Sequence, residues 1–212
     1  MILQGVSLGV NATNCYLLMD EKTGKAAVVD PGSYDNNLLR LLETHNARNL
    51  EYILLTHGHY DHILGVSELR KKTGAAVAIH SFDASCLSDE TQSLAVHLGY
   101  GIQQPIDADI ILEDGAKLSL GDCVIEVLYT PGHTRGGVCF LVESDRLLLT
   151  GDTLFRGTVG RADLPGGDYK VLLDSVSRLA ALQGDYAVYP GHNKATTLDF
   201  ERLHNRYMRK TV

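Results

Sequence analysis

The sequence predicts a layered α/β fold, in which mixed β-sheets carry helices on their outer faces. Short apolar runs that are typical of strands recur along the chain. Amphipathic segments with helical spacing separate several of these runs. No repeat, low-complexity segment or Pro/Ser-rich linker interrupts the 212 residues, and we therefore expect a single domain spanning residues 1–212.

Strands and helices alternate in the first part of the chain. Strands are predicted at residues 15–19, 26–30, 51–57 and 75–80, because each run is short, apolar and bounded by polar or turn residues. A helix is predicted at residues 34–45, where Leu38, Leu41 and Leu42 recur at helical spacing. A second helix is predicted at residues 63–72 and ends before Gly74.

The second part of the chain is richer in strands. Residues 109–133 contain short apolar runs broken by Asp-Gly and Gly-Asp turns, which predicts a meander of strands. Residues 138–142 and 146–152 predict a hairpin that turns at Ser144 and Asp145. An amphipathic helix at 169–182, a strand at 187–192 and a helix at 198–208 complete the prediction.

Composition and charge exclude several classes of protein. The chain has 19 Lys and Arg against 26 Asp and Glu, a net charge of −7, which argues against nucleic acids and anionic membrane surfaces as partners. No run approaches the roughly 20 apolar residues of a membrane helix, and the apolar N-terminus lacks the basic residues of a signal peptide. The four cysteines have no CxxC spacing, which favours reduced thiols and a cytoplasmic protein.

One six-residue motif concentrates metal-ligand side chains. It directly follows an apolar predicted strand and reads His57-Gly58-His59-Tyr60-Asp61-His62. Imidazole nitrogens and carboxylate oxygens are ligands of zinc, iron and manganese. A polar surface loop is the alternative, but four ligand-type side chains in six positions favour a metal site.

Three more candidate ligands stand in similar surroundings, each after an apolar run and beside a glycine. They are His133 in Thr-Pro-Gly-His, Asp152 in Leu-Thr-Gly-Asp, and His192 in Tyr-Pro-Gly-His. Each one alone is typical of a turn residue. Together with the four earlier ligands they make seven, which suits two cations better than one. Asp152, with two carboxylate oxygens, is the natural bridge between two cations.

The whole set resembles a known family. HGHYDH at 57–62, followed by His133, Asp152 and His192, is similar to the H-x-H-x-D-H signature of the metallo-β-lactamase superfamily. The resemblance extends over nearly the whole chain and implies a four-layer αββα sandwich with two mixed β-sheets. It also implies one cation on His57, His59 and His133, a second on Asp61, His62 and His192, and Asp152 as the bridge.

The segment from Gly151 to Asp168 resembles the glyoxalase II branch, especially its short bacterial hydroxyacylglutathione hydrolases. This resemblance implies that Arg161 contacts the substrate, with an ion pair to Asp163 as the alternative. Lys194 is a candidate for a second substrate cation. Asp163 stands where the long members carry an aromatic residue, and we expect no C-terminal helical domain that binds glutathione.

These observations lead to a functional hypothesis. We expect a dinuclear hydrolase that cleaves a small, glutathione-derived or similar thioester with a metal-bridging hydroxide, in which Asp61 and Asp152 are catalytic. Two divalent cations are expected as cofactors, zinc first, with iron or manganese as alternatives.

Three other functions stay open. A persulfide dioxygenase would keep one iron on His57, His133 and Asp152, with the remaining ligands around it. A lactone or β-lactam hydrolase would use the same dinuclear site. A purely structural metal site is disfavoured, because structural zinc sites are usually closed and rich in cysteine.

Overall fold

Two six-stranded β-sheets lie face to face, with helices on the outer face of each sheet. This is the architecture of the computed structural model, which describes residues 1–9, 11–98 and 103–209. The αββα sandwich expected from the sequence is thereby confirmed.

The first sheet has its strands in chain order. Its strands are β1 (Ile2–Leu8), β2 (Thr13–Met19), β3 (Lys25–Val29), β4 (Asn49–Leu54), β5 (Ala76–His80) and β6 (Ile110–Leu112). The first three are antiparallel, whereas β3 to β6 run parallel to one another. Parallel strands leave their carboxyl ends on the same edge of a sheet, so the loops after β3 and β4 start side by side.

The second sheet is antiparallel except for one pair. Its order is β14-β13-β10-β9-β8-β7, and β10 and β13 are its parallel neighbours. The strands are β7 (Lys117–Leu120), β8 (Cys123–Tyr129), β9 (Val138–Val142), β10 (Leu147–Gly151), β13 (Ala187–Pro190) and β14 (Thr196–Thr197). A small separate hairpin joins β11 (Leu154–Phe155) to β12 (Thr158–Val159).

In the part of the chain that the structure describes, five α-helices accompany the sheets: α1 (Asn36–Thr44), α2 (Tyr60–Ile63), α3 (Val66–Thr73), α4 (Tyr169–Ala180) and α5 (Leu198–His204). The 3-10 helices are Ser81–Leu87, Ala95–Leu98 and Glu143–Asp145. Side chains cap the two longest α-helices: Asp35 accepts from the first turn of α1, and Asp168 does the same for α4. Such caps stabilise a helix by about 1 kcal/mol.

The alternation of side chains along each strand produces the layers. In β2, Leu17 packs toward α1 and α3, while its neighbour Leu18 packs between the two sheets. In β9, Phe140 faces the first sheet, whereas Leu141 packs toward α4 and α5. Each fully buried side chain of this kind contributes about 1.5–3 kcal/mol.

Most predicted elements are present, but three features differ from the prediction. The apolar N-terminus forms β1, which pairs with β2 and was not predicted as a strand. The predicted meander is divided between the sheets, because the chain leaves the first sheet after β6 and enters the second at β7. The last helix ends at His204, and the following residue, Asn205, is buried with its amide donating to Thr158 and Glu201.

The four cysteines are free thiols, and Cys15, Cys86 and Cys139 are buried. Among the described residues, no helix combines the length and the apolar character needed to cross a membrane.

Candidate metal centre

Loops from both sheets deliver the seven predicted ligand side chains to one cluster. His57, His59, Asp61 and His62 follow β4 of the first sheet, with the last two in the short helix α2. His133, Asp152 and His192 follow β8, β10 and β13 of the second sheet. The loops therefore meet across the two sheets, and not along the edge of a single one.

The ligand atoms fall into three overlapping groups. One group is His57, His59 and His133, a second is Asp61, His62 and His192, and a third is His57, His62 and Asp152. Within each group the ligand atoms lie within 4.8 Å of one another. The third group shares one member with each of the other two and adds Asp152. All seven residues belong to at least one group, so each side chain singled out in the sequence is brought to this cluster.

Three buried atoms in the cluster have no hydrogen-bond partner among the described residues: His57 Nε2, His62 Nε2 and Asp152 Oδ1. A buried polar atom without a partner costs about 1–3 kcal/mol. Imidazole nitrogens and a carboxylate oxygen that face one another without hydrogen bonds suit a shared cation. The donor set of nitrogens and oxygens is also the one that zinc, iron and manganese accept. The residues present therefore fit divalent cations.

A glycine keeps the cluster compact. A Cβ atom at Gly191 would lie 2.4 Å from Asp152 Oδ1 and 2.7 Å from His62 Cε1. Only glycine permits that approach without displacing either side chain. The glycine before His192 in the Tyr-Pro-Gly-His motif is thus explained by the space that the neighbouring ligands occupy.

Asp30 orients two of the candidate ligands and was missed as a site residue. Its carboxylate accepts from the Thr56 N–H (2.8 Å), from the Thr56 hydroxyl (2.6 Å) and from His62 Nδ1 (2.9 Å). The Thr56 hydroxyl in turn lies 3.1 Å from His57 Nδ1. Carboxylates in this position set the tautomer and orientation of metal-binding imidazoles. The sequence carries a pattern that could have identified Asp30, because it follows an apolar strand and precedes Pro31-Gly32, as the predicted ligands follow strands and stand beside glycines.

Asp83 ties the two ligand loops together. It accepts from the Gly58 N–H (3.0 Å) in the loop after β4, and from the Thr134 hydroxyl (2.7 Å) and Gly136 N–H (2.7 Å) in the loop after β8. These partners are far from Asp83 in the sequence, so no local motif could have identified it.

Asp61 is the candidate ligand with the most hydrogen-bond partners. Its Oδ2 lies 3.3 Å from His192 Nε2 and accepts from the Asn11 amide at 3.0 Å. Burial disfavours its charge, but His192, His62 and Asn11 outweigh burial and lower the pKa of Asp61 below its usual range. Asp61 is therefore a carboxylate at neutral pH.

Five of the seven cluster residues line a cavity of about 370 Å³, all except His57 and His62, and Leu94, Phe155 and Leu164 line it as well. Arg161 lines this cavity, but its guanidinium donates two hydrogen bonds of 2.7 Å to Asp163. Lys194 is exposed two residues after His192. The substrate contacts of Arg161 and Lys194 stay predictions.

The histidines of the cluster differ in charge. Burial, with further lowering by neighbouring rings, holds the pKa of His57 well below its usual value and that of His59 at about 3. Burial opposes charge on His62 as well, but Asp30 and Asp152 outweigh it and raise the pKa of His62 to about 9. The pKa of His192 is also raised, because Asp61 and Asp152 outweigh its burial.

This charge pattern predicts proton release when cations bind. A histidine must be neutral to bind a metal. His62, with a pKa of about 9, is protonated at pH 7. We expect release of at least about one proton per chain at pH 7, from His62 and in part from His192, and an affinity that rises with pH at least about tenfold per unit until His62 is neutral. Calorimetry of zinc binding in buffers of different ionisation enthalpy measures this release. Heats that do not depend on the buffer would contradict it.

The family follows from a comparison with known proteins. Residues 8–192 match the model of the metallo-β-lactamase superfamily, and the chain belongs to that superfamily.

Three similar proteins span nearly the whole chain. A Haemophilus influenzae protein, hydroxyacylglutathione hydrolase GloC, is 32% identical and the match covers 92% of each chain. The structure of the B3 metallo-β-lactamase BLEG-1 has a TM-score of 0.91 and 32% identity, and the match covers 98% of this chain and 99% of that one. The structure of TTHA1623 in a di-iron-bound form has a TM-score of 0.85 and 36% identity, covering 96% and 99%.

Proposed function

We propose that this protein is a dinuclear metal-dependent hydrolase of small thioesters. The observation that carries the proposal is the convergence of seven His and Asp side chains, including three buried atoms without hydrogen-bond partners. The similarity to the hydroxyacylglutathione hydrolase GloC supports a thioester as the substrate.

In this proposal His57, His59 and His133 would hold one cation, Asp61, His62 and His192 would hold the other, and Asp152 would be shared between them. In support, Asp152 Oδ1 lies 3.5 Å from His62 Nε2, and Asp152 Oδ2 lies 3.5 Å from His133 Nε2. One carboxylate thus faces a member of each set. Zinc is the first candidate metal. Iron is the alternative, because the similar protein TTHA1623 has a structure in a di-iron-bound form.

Bound divalent cations supply hydroxide at neutral pH and polarise a carbonyl group. The chain positions both reactants. Asp61, held by Asn11, orients the attacking oxygen through its carboxylate. The apolar side chains Leu94, Phe155 and Leu164 surround the acyl group and limit the access of bulk water. The oxygen adds to the acyl carbon and the C–S bond breaks; the thiolate, with a pKa near about 8.5, leaves without a strong general acid.

The test is turnover by protein loaded with zinc, iron or manganese. We expect release of thiol from S-D-lactoylglutathione and two metal ions per chain by elemental analysis. Fully loaded protein that releases no thiol from a broad thioester panel would overturn the proposal. One iron per chain with oxygen uptake on glutathione persulfide would instead indicate the dioxygenase.

A second candidate is β-lactam hydrolysis, which the similarity to BLEG-1 favours. The same loaded protein distinguishes the two functions, because ring opening of a chromogenic cephalosporin without a thiol leaving group releases no thiol. Higher kcat/KM on the cephalosporin than on every thioester would favour the lactamase.

A further inference from the structure

A groove continues from the metal-centre cavity past His59. The 370 Å³ cavity shares His59 and Leu94 with a cavity of about 280 Å³, which shares Phe82 and Arg135 with a third of about 510 Å³. We call the second and third cavities the outer groove. Its lining includes Phe82, Tyr129, Thr134, Arg135, Gly166 and Asp168.

The loop that carries Arg135 is fixed on both sides. Asp83 accepts from the Thr134 hydroxyl and the Gly136 N–H, both at 2.7 Å. The Arg135 carbonyl accepts from the Tyr129 hydroxyl at 2.8 Å. A fixed backbone limits the region that the Arg135 guanidinium can reach, and this region lies over the outer groove.

The backbone of Arg135 is also close to that of the candidate ligand His133. It follows His133 by two residues, so their Cα atoms are at most about 7 Å apart. A small substrate that places its acyl group at the metal centre can therefore extend to Arg135.

Arg135 is an exposed cation for which no carboxylate partner occurs among the residues that the structure describes. Arg161, in contrast, is already paired with Asp163. The acidic groups beside Arg135 are engaged elsewhere: Asp83 accepts from its own loop partners, and Asp168 caps α4. A free guanidinium binds carboxylates and phosphates through paired hydrogen bonds.

Aromatic side chains line the same groove. Phe82 is 62% exposed and lines both cavities of the outer groove. The ring of Tyr129 stacks on the ring of His80, with 4.5 Å between the ring centroids and an angle of 12° between the ring planes. Such surfaces pack well against the methylene and amide groups of a flexible chain.

We propose that the outer groove binds the thiol-carrier arm of the substrate and that Arg135 pairs with an anionic group on that arm. The inference rests on the proposed thioester hydrolysis and defines the substrate more closely. The acyl group lies at the metal centre, and the carrier passes Phe82 and ends in a carboxylate or a phosphate. The carrier thiol leaves along this groove after the C–S bond breaks.

The first experiment compares anionic and neutral thioesters. Arg135→Gln should raise KM for S-D-lactoylglutathione about 10- to 100-fold with kcat unchanged, and leave S-lactoyl-N-acetylcysteamine, which has no charge, unaffected. The same comparison with lactoyl-coenzyme A as the substrate tests whether Arg135 pairs with a phosphate in place of a carboxylate. Arg48→Gln, an exposed arginine between α1 and β4, is the matched control and should change neither substrate. An equal effect of Arg135→Gln on charged and neutral thioesters would overturn the proposal.

A binding experiment separates this proposal from hydrolysis itself. Calorimetry with S-methylglutathione and S-methyl-coenzyme A, which cannot be hydrolysed, should show binding of at least one ligand that weakens about 10- to 100-fold in Arg135→Gln. Arg135-dependent binding without turnover of any thioester would retain the groove and reject the proposed function. If the protein hydrolyses thioesters but binds neither S-methylglutathione nor S-methyl-coenzyme A, or binds them equally well in Arg135→Gln, the proposed role of the groove is rejected. The proposed hydrolysis is then retained.

Discussion

Asp152→Asn is expected to lower kcat/KM for thioester hydrolysis by about 10³-fold or more. The Asp152 carboxylate would hold both cations in the proposed site, and Lewis-acid stabilisation by a metal is worth several kcal/mol in the transition state. Each ~1.4 kcal/mol corresponds to a tenfold change in rate. The amide keeps the size of the side chain but removes its charge. Steady-state kinetics and elemental analysis measure the two effects.

The fold should survive this substitution. Asp152 Oδ1 has no hydrogen-bond partner to lose, and the adjoining loops are joined through the backbone, where the Gly191 N–H donates to the Gly151 carbonyl at 2.8 Å. At 100 times its dissociation constant, each bound cation should stabilise the wild-type chain by about 2.7 kcal/mol, and Asp152→Asn should lose most of that gain. Asp174→Asn, an exposed carboxylate on α4, is the control. A variant with two cations and activity within about tenfold of wild type would contradict the bridging role.

Sequence patterns were sufficient for most of the site because the candidate ligands share one local context. Each follows a strand and stands in or beside a polar turn, as His133 does in Thr-Pro-Gly-His. Buried strands give strong local signals, and their ends fix where the next polar residues begin. The division of the strands between two sheets had no such signal. The turn at Asp114-Gly115 has the same composition whether the next strand stays in its sheet or crosses to the other.

Residues that act through long-range contacts are harder to find from a sequence. Asp83 lies in a 3-10 helix and reaches Gly58 and Gly136, which are separated from it by 25 and 53 positions. No periodicity or spacing reports such a contact. Asp30 differs from Asp83, because its Val-Asp-Pro-Gly context resembles the context of the candidate ligands. Its side chain nevertheless contacts Thr56 and His62, and it belongs to none of the candidate metal-binding groups. Position along the chain does not distinguish a ligand from the residue that orients it.

Asp30→Asn is expected to weaken metal binding about 10- to 100-fold, although Asp30 is absent from those groups. The Asp30 carboxylate accepts three hydrogen bonds, two from Thr56 and one from His62 Nδ1. An amide has one acceptor oxygen and two N–H donors. If the amide oxygen of Asn at position 30 still accepts from the Thr56 N–H, the amide NH2 group faces His62 Nδ1. His62 Nδ1 must then accept a hydrogen bond from that NH2 group. The proton of a neutral His62 therefore moves to Nε2, the atom that the proposed cation needs.

The substitution is mild for the backbone, so the effect on the metal can be isolated. Asp30 has a φ of 51°, a conformation that asparagine tolerates well. We expect a loss of about 1–3 kcal/mol in the free energy of unfolding from the altered hydrogen bonds. Asp20→Asn is the matched control, because Asp20 is also buried and accepts from a threonine hydroxyl and a backbone N–H, but lies away from the cluster. It should reduce stability without changing zinc affinity.

Asp30→Asn should also change the proton balance. Without the Asp30 carboxylate, one of the three charges that raise the pKa of His62 is gone, and its hydrogen bond to His62 is gone with it, so burial lowers that pKa. Zinc binding at pH 7 should then release fewer protons than in the wild-type chain, which the same buffer series measures. A general loss of packing would weaken binding without changing the proton count, so the two measurements together distinguish orientation of His62 from simple destabilisation. Unchanged zinc affinity in a folded Asp30→Asn chain would show that the Thr56 and His62 contacts stabilise the fold alone.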